Sequence, residues 1–77
     1  MAVIFNHPLM LVVDYPERNA VEMLDKRGAR VGVMEGRLAE RFRHDFGILL
    51  STEPDTDQVE DFMDDYSGVL DQPVSRH

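Results

Sequence analysis

The sequence predicts an α+β fold: a four-stranded antiparallel sheet built from two hairpins, followed by a two-helix hairpin packed on one face. Three observations predict it. Before Gly36 the apolar residues come in short Val-, Ile- and Leu-rich runs separated by turn formers. From Gly36 onward they recur at three- to four-residue spacing, the period of a helix. Pro54, between the two periodic stretches, divides them into two helices.

The first hairpin pairs Ala2–Asn6 with Leu9–Asp14 across a short Asn-His-Pro turn. Opposing Phe5 with Met10 sets Ile4 against Leu11 and Val3 against Val12. Ile4, Leu11 and Val13 then share one face, and Val3, Phe5, Met10 and Val12 the other. Both faces are apolar, whereas one layer of helices covers only one. The pattern leaves open which face points inward. Tyr15–Asn19 reads as a loop, because Pro16 cannot donate a ladder hydrogen bond.

The second hairpin joins Ala20–Asp25 to Ala29–Glu35. Asp25 suits the start of a turn, and Gly28 suits the left-handed position of a bulged three-residue loop. That loop pairs Asp25 with Ala29 and places Val21, Met23, Val31 and Val33 on one face. Leu24 with Arg30, and Glu22 with Gly32, fall on the other.

Leu38, Ala39, Phe42, Phe46, Leu49 and Leu50 form the stripe of the first helix, which ends within Ser51–Pro54. Glu40 and His44, and Arg41 and Asp45, are spaced to pair along its exposed side. The second helix starts near Asp55 or Thr56, where Asp55 and Gln58 have capping-box spacing. Its stripe is Val59, Phe62, Met63, Tyr66 and Leu70. Residues 1–71 make a single domain, with 72–77 as a short tail containing Pro73.

A chain of 77 residues buries only about 60–65% of its unfolded surface, so its core is small. It has no cysteine, which excludes disulfides and thiolate zinc sites and suits a reducing, cytoplasmic setting. His7, His44 and His77 are too far apart in sequence to form a local metal motif. Packing quality or self-association must then supply stability that staples supply elsewhere. The apolar amino end lacks a basic leader region and is too short to cross a membrane.

The net charge of −7 is unevenly placed. Residues 1–51 carry seven acids and seven bases; residues 52–71 carry eight acids and no base. An acidic final third repels a phosphate backbone, so nucleic acid is not expected as a partner.

Glu22-Met-Leu-Asp-Lys-Arg-Gly28, Gly36-Arg-Leu-Ala-Glu-Arg-Phe42, Val59-Glu-Asp-Phe62 and Gln72-Pro-Val-Ser-Arg-His77 together resemble the domain of unknown function 3567 family of short bacterial proteins. The resemblance runs from Val12-Val13 to His77. This chain departs in its short loop after Tyr15 and in Ser75-Arg76 before the last histidine. The resemblance implies a bacterial, cytoplasmic protein and a native His77, but no activity.

Candidate chemistry is sparse. Asp57, Asp61, Asp64 and Asp65 recur at helical spacing, yet calcium sites draw on turned loops with backbone carbonyls, and no metal or other cofactor is expected. His44 lies near Glu40 and Asp45 without a nucleophile motif beside it. Arg37, Arg41 and Arg43 are expected to pair with Glu40, Asp45 and the acidic helix. No glycine-rich phosphate loop, dinucleotide fingerprint or nucleophile elbow occurs.

The reading that follows is a non-enzymatic, homo-oligomeric interaction module, a homodimer. Val3, Ile4, Phe5, Met10, Leu11, Val12 and Val13 are the candidates for self-association. Asp57, Glu60, Asp61, Asp64 and Asp65 are the candidates for docking a basic protein. A second reading is a small-ligand binder or enzyme between sheet and helices, using Glu22, Arg30 and His44. A third is a weak nucleic-acid binder through the first helix and the Lys26-Arg27 turn.

Overall fold

A computed structural model describes residues 1–69 and the backbone of residues 72 and 73. Strands β1 (Ala2–Asn6), β2 (Met10–Tyr15), β3 (Ala20–Asp25), β4 (Arg30–Glu35) and β5 (Gln72–Pro73) form one antiparallel sheet in that spatial order. Helices α1 (Gly36–Ser51) and α2 (Thr56–Asp65) follow β4 and cover one face. The α+β class therefore holds, with one correction. Gln72 and Pro73, assigned above to a tail, pair with Val31 and Arg30 of β4. Proline fits there because an edge strand leaves one side of its backbone without a ladder partner.

Both hairpin registers differ from the expected ones, and the turns give the reason. In the first hairpin, His7 N donates to Met10 O (2.8 Å) and Met10 N to His7 O (3.1 Å). Leu9 N also donates to His7 Nδ1 at 3.1 Å. This turn sets Asn6 against Leu11 and Phe5 against Val12, and a bulge between Val3 and Phe5 then sets Val3 against Val13. Phe5, Met10 and Val12 share the helix-covered face, while Val3 moves to the other face with Leu11 and Val13.

In the second hairpin the loop is Lys26–Ala29, one residue longer than expected, and the left-handed residue is Ala29 (φ 53°) rather than Gly28. Asp25 therefore pairs with Arg30, Leu24 with Val31, Met23 with Gly32 and Glu22 with Val33. The one-residue slip exchanges the faces of β4. Gly32 and Met34 point toward the helices, whereas Val31 and Val33 lie with Leu24 and Glu22 on the far face. Gly32 has a packing reason: a Cβ there would overlap the Val69 carbonyl, where the 3₁₀ turn Ser67–Val69 crosses the sheet.

The core lies between sheet and helices. Met10, Val12, Val21, Met23 and Met34 of the strands meet Ala39, Phe42 and Phe46 of α1 and Val59, Phe62 and Met63 of α2. Phe42 is central, with ring centroids 5.5 Å from Phe46, 5.4 Å from Phe62 and 5.1 Å from Tyr66. Leu38 and Leu50, expected in the α1 stripe, stay largely exposed, as does Ile48. The capping box of α2 forms as expected: Asp55 Oδ1 accepts from Gln58 N (2.9 Å), and Gln58 Oε1 from Asp55 N (3.0 Å). Leu70, the last residue of the expected α2 stripe, lies outside the described residues.

Candidate interaction surfaces

Among the described residues no second layer covers the far face of the sheet. Val3 and Val33 are 55% and 54% exposed. Leu11, Leu24 and Val31 are half-buried, and only Val13 is shielded, between its strand neighbours. Ile4, at the bulge, is exposed as well. Polar groups gather toward one end. The Tyr15 hydroxyl donates to Glu22 Oε1 (3.3 Å), Arg18 lies 5.8 Å over the Tyr15 ring, and Arg18 approaches Glu35 at 3.9 Å. Partial burial, then the Glu22 carboxylate, raise the Tyr15 pKa, so this phenol remains a neutral donor.

This arrangement divides the residues expected to self-associate. Met10 and Val12 are fully buried and Phe5 packs on the core, its ring 5.3 Å from Phe46, so these three belong to the subunit interior. Val3, Ile4, Leu11 and Val13 lie outside that core. Leu24, Val31 and Val33 complete the open face. Sequence reasoning placed Leu24 on this face but missed Val31 and Val33, because it assigned those two to the face of Val21 and Met23.

The other face is closed by helices that two arginines tie down. Arg27, in the β3–β4 turn, grips Asp25 through Nε (3.0 Å) and Nη2 (3.1 Å) and reaches α2 at Glu60 (3.3 Å) and Asp64 (3.7 Å). The Arg27 side-chain bonds, together with its backbone N–H, hold the Asp25 carboxyl below its ordinary value despite burial. The carboxylates in turn raise the guanidinium further. Arg43 of α1, expected to pair with nearby acids, instead crosses to the sheet. It donates to Asp14 (2.8 Å), to the Asn19 side chain (2.7 Å) and to the Ala20 carbonyl (3.3 Å). Asn19 takes the left-handed conformation (φ 47°) and donates to Glu40 at 3.1 Å. Glu40 is thereby engaged by the sheet side, and no Glu40–His44 ion pair occurs among the described residues.

The five acids expected to dock a partner fall into two groups. Glu60 and Asp64 face Arg27, whereas no basic side chain among the described residues pairs with Asp57, Asp61 or Asp65. Asp61 and Asp65 line the seam between α1 and α2. Two adjoining cavities of about 430 and 320 Å³ run along this seam and share Asp45, Phe62 and Asp65. Arg41 pairs with Asp45 at 3.7 Å, as its spacing predicts. The Tyr66 hydroxyl donates to Asp45 Oδ2 at 2.7 Å; burial and this bond push its pKa up to about 12. The stripe assigned Tyr66 to the core, and nothing in the local sequence marks Asp45 as its partner.

Glu22, Arg30 and His44 do not converge. Glu22 lies on the open sheet face, Arg30 at the start of β4 and His44 on the exposed side of α1. Among the described residues no group of three acids or histidines could hold a metal ion, and no helix is long and apolar enough to cross a membrane.

The fold and these surfaces define a small two-layer α+β protein with one sheet face covered by helices and the other not layered by any described residue. The chain belongs to the family described as protein of unknown function (DUF3567), whose model matches residues 2–77. It is similar to Protein BTH_I0359 of Burkholderia thailandensis, with 32% identity over 85 aligned residues covering all of both chains. No solved structure matches it. The resemblance drawn from the sequence is thus borne out, and with it a bacterial protein of a family without assigned function.

Proposed function

We propose that the protein is a non-enzymatic interaction module that works as a homodimer. Two copies meet through their open sheet faces, leaving the helical layers outward and the acidic side of α2 available to a basic protein. The one-sided cover of the sheet carries this reading: its helices close over Met10, Val12, Val21 and Met23, while no second layer among the described residues covers Val3, Leu11, Leu24, Val31 and Val33.

The chemistry of the face supports a second copy as its occupant, since the same apolar strand surface on a partner is self-complementary. Four strands about 4.8 Å apart, each about six residues long, present an area about 15–20 Å on a side. That is about 225–400 Å² per copy, the size of a weak, concentration-dependent contact, and apolar burial contributes roughly 25 cal/mol per Å². Face-to-face stacking is favoured over edge pairing. The bulge between Val3 and Phe5 interrupts the outer edge of β1, and β5 pairs with the opposite edge of β4. The separation of Glu22, Arg30 and His44 favours this reading over an enzyme. Arg27 is engaged by three carboxylates and Lys26 Nζ donates to Asn6 at 2.7 Å, which weakens the case for nucleic acid. Cytoplasmic residence belongs to the same proposal, on the cysteine-free composition.

Light scattering after size exclusion, from low to high micromolar protein, tests it. The wild-type chain runs as a dimer, and Val33→Asp, at a site already exposed, yields a folded monomer. A wild-type particle that stays monomeric throughout, or a variant that remains dimeric, overturns the proposal.

A further inference from the structure

We infer that the seam between α1 and α2 is a docking groove for an amphipathic, basic protein segment: a short helix with one aliphatic row flanked by lysines or arginines. The inference deepens the proposed function and rests on the helical layer being the side turned toward partners.

The groove has a floor and a rim of different chemistry. Phe62 and the Tyr66 ring form the floor, Leu49 adds to it at one end and Val69 at the other. Ile48 and Leu38, 55% and 38% exposed, stand on the α1 wall with no described residue covering them. Ile48 and Leu38 lie outside the core that Phe62 and Tyr66 close, which is where an apolar ridge from another chain would gain contact area. The rim is acidic. Asp45, Asp61 and Asp65 line it against one cation, Arg41, and Asp45 is already shared by Arg41 and Tyr66.

The contrast with the opposite side of α2 assigns the partner's charge. There, Glu60 and Asp64 are met by Arg27 from the same chain. On the groove side the one cation among the described lining residues, Arg41, is taken by Asp45, so one brought by a partner would meet Asp61 and Asp65, which no described basic side chain pairs. A nucleic acid would place phosphates against those carboxylates and is disfavoured. A purely basic segment would leave Ile48, Leu38 and Phe62 unused. The ten residues of α2 span about 15 Å, enough to seat about three turns of a docked helix.

Fluorescence anisotropy with three labelled 14-residue peptides tests the assignment. The first has leucine at every third or fourth position and lysine elsewhere. The second replaces leucine with serine, and the third replaces lysine with glutamate. The Leu/Lys peptide is expected to bind in the micromolar range and the other two about tenfold or more weakly. Asp61→Asn with Asp65→Asn weakens Leu/Lys binding about fivefold to tenfold, whereas Glu60→Gln with Asp64→Asn changes it less than about twofold. Ile48→Ser weakens it without changing the charge. Circular dichroism confirms that each variant is folded. Equal binding of the Leu/Lys and Ser/Lys peptides, equal effects of the two carboxylate pairs, or no Leu/Lys binding at several hundred micromolar would overturn the groove. Repeating the titration with Val33→Asp separates the two claims, because a monomer that still binds the peptide refutes neither the groove nor its residues.

Discussion

The two faces of this sheet are made of similar residues and have different fates. Methionines and valines at Met10, Val12, Val21, Met23 and Met34 are closed over by Phe42, Phe46, Val59, Phe62 and Met63. Valines and leucines at Val3, Leu11, Leu24, Val31 and Val33 receive no such layer from the described residues. Composition therefore does not decide which face is core. The chain after β4 turns onto one side, Arg43 and Arg27 tie it there at two points, and no described residue layers the other side.

The sharpest way to break that comparison is to truncate one apolar residue on each face. Phe42→Ala should cost about 3–5 kcal/mol by urea denaturation, because Phe42 is fully buried among three other rings. Leu24→Ala should cost under about 1 kcal/mol at protein concentrations where the chain is monomeric. Near-equal losses would mean that the open face is not open.

A smaller effect tests the ties. Arg27→Met leaves the largely buried Asp25 carboxylate without its guanidinium and should cost about 2 kcal/mol at neutral pH. Asp25 has a folded-state pKa below its ordinary 3.8, so its contribution is complete above that value and is lost as pH falls through the folded value. Wild type and variant should therefore converge in stability as pH falls below 3.8 and through the lower folded-state value, as followed by acid-titrated chemical denaturation. A gap that persists undiminished into strong acid would remove Asp25 from the account.

The smallest effect concerns the turn that sorts β4 between the faces. Ala29 holds φ 53°, which glycine adopts without penalty, so Ala29→Gly should stabilise by roughly 0.5–1 kcal/mol in thermal or urea melts. Destabilisation would argue for the three-residue loop, with Gly28 left-handed and Val31 and Val33 turned inward.

Much of this architecture is legible locally. β1 and β3 begin and end where their apolar runs do, the Asp55–Gln58 capping box starts α2, and Arg41 pairs with Asp45 one turn along α1. Each depends on residues within a few positions of one another. The candidate surfaces were legible only in part. Val3, Ile4, Leu11 and Val13 were marked by a surplus of apolar residues over what one helical layer can cover. Val31 and Val33 were misplaced because a loop of three residues and one of four both suit the sequence between Asp25 and Arg30.

By itself the sequence determined the α+β class, the order of its two hairpins and two helices, and the family, because alternation, helical periodicity, capping and turn chemistry all act over short stretches. Tertiary structure alone decided which side of the sheet is sealed, which acids Arg27 engages and where Gln72 and Pro73 lie. Those outcomes depend on contacts between segments tens of residues apart. A slip of one residue, invisible in composition, turns a side chain from the interior to the outside.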